Sequence, residues 1–194
     1  MTPTFFRILV LLVFGTIIAD GSSNPVNARK ESAISIIPKP FSLKQDDGSF
    51  LVTKTTSVLY GGLSEIQRVV EDFASRLRKA TGYPIVVAPL SSKSKLEDVI
   101  VVSLSGKDML GPEGYQLAVT RKLVRIDATT PAGAFYGVQT LYQILPVEIE
   151  RNGMAEKVTW SIPCLRIEDM PRFSWRGMHL DVGRHFCSKD YVKR

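Results

Sequence analysis

Two apolar stripes at helical spacing, each closed by a glycine or proline stop, restrict the folds open to this chain more than any other feature. Leu63, Ile66, Val69, Val70, Phe73, Leu77 and Ala80 recur at intervals that put them on one side of a helix over residues 64–80. Ser64 with Gln67 has the form of a capping box, and Gly82 tolerates the left-handed conformation that ends a helix. Arg68, Glu71, Asp72, Arg76, Arg78 and Lys79 make the opposite, polar face. Ala134, Phe135, Val138, Leu141, Tyr142 and Leu145 form a second stripe over residues 131–145. There Thr130 stands as N-cap, Pro131 takes the first helical position, and Pro146 stops the helix. Stripes of this kind must be buried against another layer.

Short strand-like runs supply that layer. Residues 50–59 are rich in Thr and Val, and 85–87 and 99–104 are nearly all apolar. Residues 115–120 and 123–128 alternate in polarity across Arg121-Lys122, so a hairpin with one wet face is the simplest pairing. Residues 158–162 and 165–167 are the last candidates, Gln45-Asp46-Asp47-Gly48 reads as a turn, and the prolines of Ile36-Ile37-Pro38-Lys39-Pro40 confine residues 34–40 to an extended edge. No internal repeat is visible. The expected fold is α+β over residues 34–167: an antiparallel or mixed sheet with two helices on one face.

Ahead of this lies a leader. Arg7 precedes an apolar run over residues 8–18, then the small residues Ala19 and Gly21 flank Asp20. That order is a secretory signal peptide, assigned to residues 1–21, and the run falls short of the roughly 20 apolar residues a span needs. The mature chain is therefore expected to be exported by a periplasmic, extracellular or lysosomal-type secretory route, with no membrane attachment after cleavage. Residues 22–33 are polar and read as a flexible lead-in.

The net charge of +6 comes from 25 basic and 19 acidic residues. A nucleic-acid site would gather the excess into a patch interleaved with aromatics. Here the basic residues are scattered, the densest group being Arg172, Arg176, Arg184, Lys189, Lys193 and Arg194, and solvated surface with no nucleic-acid partner is expected. Cys164 and Cys187 have no spacing that requires a bridge, and two free thiols are expected. Two histidines without an H-E-x-x-H arrangement make no metal cluster, so neither metal nor cofactor is expected.

The chemistry-bearing stretch is near the end. Past the connector Pro171-Arg172-Phe173-Ser174 comes Trp175-Arg176-Gly177-Met178-His179-Leu180-Asp181-Val182-Gly183-Arg184-His185-Phe186. A short apolar strand with charged groups just beyond its C-terminal end is how a parallel α/β barrel builds a substrate site. Arg184 is the first candidate for substrate contact, since its rigid fork of donors can grip two adjacent acceptors; the alternative is a surface or ion-paired arginine. Asp181 is a ligand contact or the partner that fixes Arg184, with the structural role preferred. His185 could titrate near neutral pH but is expected to pack and orient. His179 is expected to pack along the strand, and Trp175 to pack at the barrel floor, the alternative being stacking on a ligand ring. Tyr136, Gln139 and Tyr142 near the second stripe read as packing and interdomain contacts.

As a string, this stretch resembles the first barrel strand of glycoside hydrolase family 20, the β-N-acetylhexosaminidases, where the pattern is W-R-G-x-x-L-D-x-x-R-H-F. The runs Glu113-Gly114-Tyr115-Gln116-Leu117-Ala118-Val119 and Pro131-Ala132-Gly133-Ala134-Phe135-Tyr136-Gly137-Val138-Gln139-Thr140-Leu141, with Ile36-Ile37-Pro38-Lys39-Pro40, resemble the small α+β domain that precedes the barrel in that family. The resemblance implies that residues 168–194 begin a (β/α)8 TIM barrel, and that Arg184 binds outer hydroxyls of a terminal N-acetylglucosamine or N-acetylgalactosamine. It implies a substrate-assisted mechanism, in which the acetamido oxygen attacks the anomeric carbon while a Glu acts as general acid and the preceding Asp orients the acetamido group.

Those two carboxylates belong to an H-x-G-G-D-E motif, and no such string occurs in the 194 residues. Two functions remain. The first is the N-terminal part of an exported exo-β-N-acetylhexosaminidase, truncated and inactive as it stands. The second is a stand-alone, non-catalytic domain that binds carbohydrate or a protein partner. An apolar strand at 176–182 without neighbours argues for the first, because an evolved module avoids such an edge.

Overall fold

The computed structural model describes residues 34–105 and 110–193. The expected leader over 1–21 and the lead-in over 22–33 lie outside the described residues. Strands β1 (Ser42–Leu51), β2 (Ser57–Gly61), β3 (Val86–Pro89), β4 (Val99–Leu104), β5 (Tyr115–Val119), β6 (Leu123–Ala128) and β7 (Ser161–Asp169) form one sheet in the order β1-β7-β5-β6-β4-β2-β3. The half from β1 to β6 is antiparallel and the half from β6 to β3 is parallel. The sheet is thus mixed, and the expected hairpin is β5–β6, with Leu117 opposite Ile126.

Helices α1 (Ser64–Thr81) and α2 (Pro131–Ile144) cover one face. Ile66, Val70, Phe73, Leu77 and Ala80 of α1 meet Ala134, Val138 and Leu141 of α2 over Ile100, Val102, Leu117, Ile126 and Ile167 in a single buried core. Gly82 closes α1 at φ 70°. Thr130 caps α2, its hydroxyl accepting from Ala132 N–H at 3.2 Å and Gly133 N–H at 3.5 Å.

Several expectations are corrected. The N-cap of α1 is Leu63, not Ser64, and no side chain caps it. The link from β2 to α1 is only two residues, and a cap worth about 1 kcal/mol yields to that geometry. The expected turn at residues 45–48 is a bulge inside β1: Gln45 pairs with Leu165 and Ser49 with Pro163, and Gly48 absorbs the irregularity at φ 102°. The two last strand candidates are one strand, β7. Its Pro163 is tolerated because β5 runs beside β7 only from Leu165 to Asp169. Residues 34–40 form no strand. They are held instead by Gln143 of α2, whose side chain accepts from Ile37 N–H and donates to Ile37 C=O, both at 2.9 Å.

Phe135 was expected in the buried stripe but is 46% exposed. The contact face of α2 is centred on glycines that carry no side chain to count. A Cβ on Gly137 would stand 2.6 Å from Ile126 Cγ2, so the helix backbone lies almost on the sheet. Phe135, two residues away, is turned about 160° from that direction at about 100° per residue.

The expected barrel strand over 176–182 is not a strand here. Residues 170–188 have no regular structure, and those from Arg172 to Phe186 are all exposed; only a short turn of helix, α3 (Lys189–Val192), follows. A strand needs a neighbour to take its N–H and C=O groups, and none of the described residues pairs with this segment.

Candidate functional site

Among the sequence-predicted site residues, Asp181 and Arg184 come together and His185 stands apart. Asp181 closes a tight turn, its Oδ1 accepting from Gly183 N–H at 2.8 Å, and its Oδ2 lies 3.8 Å from Arg184 Nε. With the Arg184 side chain 89% exposed and Asp181 at 56%, this pair is too solvated to hold geometry by itself. The His185 ring is exposed, and only its backbone carbonyl is used, accepting from the Cys187 thiol at 3.8 Å. Trp175 and His179, expected to pack inside a barrel, are exposed instead, because no second wall stands against them among the described residues. Both thiols are free, Cys164 buried and Cys187 half-buried, and burial pushes the Cys164 thiol pKa up.

The ordered polar chemistry lies earlier in the chain, where the strand order brings the two ends of the domain together. Ser42 at the start of β1 faces Glu168 near the end of β7, so the incoming and outgoing segments run side by side. Asp169 binds them: Oδ1 accepts from Phe41 N–H at 3.0 Å and Oδ2 from the Tyr115 hydroxyl at 3.4 Å. Tyr115 also meets Thr140 at 2.5 Å, and burial drives its phenol pKa upward, keeping the proton in place. Between these segments and α2 is a groove of about 530 Å³, lined by Ile37, Tyr136, Gln139, Asp169, Phe173 and Arg176 among others.

Arg176 closes this groove. Its Nη2 donates to Glu113 Oε1 at 2.9 Å and to the Tyr136 hydroxyl at 3.1 Å, and its Nη1 donates to Phe173 C=O at 2.6 Å. The guanidinium carbon also lies 5.6 Å from the Tyr136 ring centroid. Residue-by-residue reading missed this constellation and left Arg176 in a solvated basic group, since 63 residues separate it from Glu113 and no local pattern joins them. Tyr136 and Gln139, expected as packing and interdomain contacts rather than a groove, both line it.

The Arg176 hydrogen bond holds the Glu113 carboxyl below the usual carboxylate range. A depressed pKa in the folded state adds stability that is present above the unfolded value, about 4.3, and is lost as pH falls through the folded one. A carboxyl-carbon NMR titration should therefore place the Glu113 midpoint below 4.3 or so, and Arg176→Gln should raise it. An unchanged midpoint in the variant would remove Arg176 as the cause. Among the described residues, no group of three or more His, Cys, Asp and Glu is placed to hold a metal ion.

A mixed sheet with two helices on one face, and an outgoing segment held against α2, defines a small α+β domain. Residues 33–170 match the family model described as glycosyl hydrolase family 20, domain 2, and the chain belongs to that family. It is 32% identical over 164 residues to a beta-hexosaminidase of Porphyromonas gingivalis, covering 84% of this chain and 21% of that protein. A beta-N-acetylhexosaminidase of Cellulomonas fimi is 32% identical over 161 residues, covering 82% and 31%. Among solved structures, the family 20 beta-N-acetylhexosaminidase of Streptomyces coelicolor A3(2) superposes with a TM-score of 0.70 at 36% identity, over 79% of this chain and 30% of that one. The chain thus spans between a fifth and a third of the length of these relatives.

Proposed function

We propose that this chain is the N-terminal part of an exported exo-β-N-acetylhexosaminidase that removes terminal non-reducing N-acetylhexosamine residues with retention of configuration. The observation that carries this is one of order: the family 20 domain 2 match over residues 33–170 is followed at once by Trp175-Arg176-Gly177 and Arg184-His185-Phe186. Residues 168–194 begin the catalytic (β/α)8 barrel, and the irregular segment at 176–182 becomes its first strand when a second strand lies beside it. Arg184 then stands at the barrel mouth, where its fork grips two hydroxyls of the terminal sugar, with Asp181 and His185 orienting it. A relative from Streptomyces plicatus, 36% identical, was solved in complex with Thio-NAglucal, which supports an N-acetylhexosamine-terminated glycan as the substrate. The leader over 1–21 directs export.

In this assignment the substrate's own acetamido oxygen attacks the anomeric carbon, a Glu protonates the leaving oxygen, and the Asp before it holds the acetamido group. Those carboxylates lie outside the 194 residues, so the purified chain should release no more chromophore from an N-acetylglucosaminide than a heat-treated control. The missing proton transfer alone is worth about 10²–10⁴ in rate. Turnover that survives repurification would overturn the placement of the acid. Sequencing the transcript beyond codon 194 tests the assignment directly. An H-x-G-G-D-E motif, in frame or after a single-base shift, supports it. A terminator with no such motif in any frame overturns it in favour of a stand-alone binding domain.

A further inference from the structure

We propose that Arg176 is a positioning residue: with Glu113 and Tyr136 it clamps the chain as it leaves β7, and so sets where Arg184 stands. The consequence for Arg184 rests on the hexosaminidase assignment above; the clamp itself does not. Its geometry is that of a junction. One guanidinium joins three parts of the chain: Glu113 just ahead of β5, Tyr136 on α2, and the connector's own Phe173 carbonyl. A planar fork is the group suited to holding several acceptors at fixed angles. The Arg176 and Glu113 side chains are 38% and 32% exposed, against 89% and 56% for Arg184 and Asp181, so this pair is the better shielded of the two.

Arg176 also marks a boundary. Upstream of it, Arg172 donates to Lys39 C=O at 3.5 Å and Asp169 holds Phe41. Beyond it, the hydrogen bonds and ion pairs found among the described residues are local: Gly183 to Asp181, Arg184 to Asp181, Cys187 to His185, the Ser188 cap on Tyr191, and the backbone bonds of the short helix that follows. Arg176 is therefore the last described side chain tied to the body of the domain, eight residues before Arg184. Misplacement there moves everything downstream, and catalytic geometry tolerates errors of only about 1 Å.

The test uses the whole 194-residue chain and reads backbone ¹⁵N relaxation at residues 172–180 with thermal stability alongside. In the unaltered chain the order parameters through Gly177 should be near the rigid value of about 0.85. In Arg176→Gln and in Glu113→Gln they should fall below about 0.6 at residues 173–178, with no more than a small fall in the Tm of the domain. The charge-swapped pair, Glu113→Arg with Arg176→Glu, should recover much of that order, which a loss of general stability would not do. Equal order in the unaltered chain and both single variants would overturn the clamp. So would low order in all three, and so would loosening that the swapped pair fails to reverse. None of these readouts involves sugar: an ordered connector followed by no catalytic sequence defeats only the enzyme assignment, and a loose one defeats only the clamp.

Discussion

Phe73→Ala is expected to cost the domain about 3–5 kcal/mol, the usual range for emptying a buried aromatic site. Phe73 is fully buried on α1 and packs against the Tyr142 ring of α2, centroids 5.4 Å apart at 57°. Tyr142 is itself capped by Arg76, whose guanidinium carbon is 4.7 Å from the ring centroid. Burial pushes the Tyr142 phenol pKa up to about 12. Truncation thus leaves a cavity at the seam where the two helices meet, beside the Tyr142 ring. For a domain of this size each kcal/mol lowers Tm by about 2–4 °C, so a drop of order 10 °C should be seen by calorimetry. Phe135→Ala on the outer face of α2 should change stability by less than about 0.5 kcal/mol. Equal losses in the two variants would show that the helices do not share one core.

Arg184→Lys is expected to lower kcat/KM by about one to two decades in a complete enzyme carrying this stretch, and His185→Gln to do much less. Lysine keeps the charge but loses the planar fork, so it cannot span two hydroxyls in the same way. A charge-assisted hydrogen bond is worth about 1.5–3 kcal/mol, which sets that loss if the contact persists in the transition state. Since Arg184 is 89% exposed in the present chain, the substitution should leave its Tm unmoved, which separates a substrate contact from a structural one. Unchanged kcat/KM for Arg184→Lys beside a large loss for His185→Gln would reverse the roles of the two neighbours.

Much of the domain was legible from residue order. The stripes through Phe73 and Leu77, and through Val138 and Leu141, fixed two helices to within a residue or so of their ends, because apolar spacing and the stops at Gly82 and Pro146 act locally. β4 and the β5–β6 hairpin were legible for the same reason. What failed to show was whatever depends on a partner far along the chain. The bulge at Gly48 looked like a turn because Asp-Gly favours either, and only pairing with β7 makes it a bulge. Phe135 looked buried because side chains, not close backbone approach at glycine, were what the pattern counted.

The sequence by itself determined that this chain makes an α+β layer of two helices on a sheet, and it carried the family 20 motifs that identify it. Apolar periodicity, caps and short literal strings are properties of neighbouring residues and need no fold to be read. Only the tertiary structure decided that the sheet is half antiparallel and half parallel, and that β1 and β7 bring the two ends of the domain side by side. It also decided that Arg176 reaches Glu113 and Tyr136 across the groove. The physical reason is that strand order and long-range ion pairs are set by which surfaces fit together in space, and that choice is made by the whole core at once.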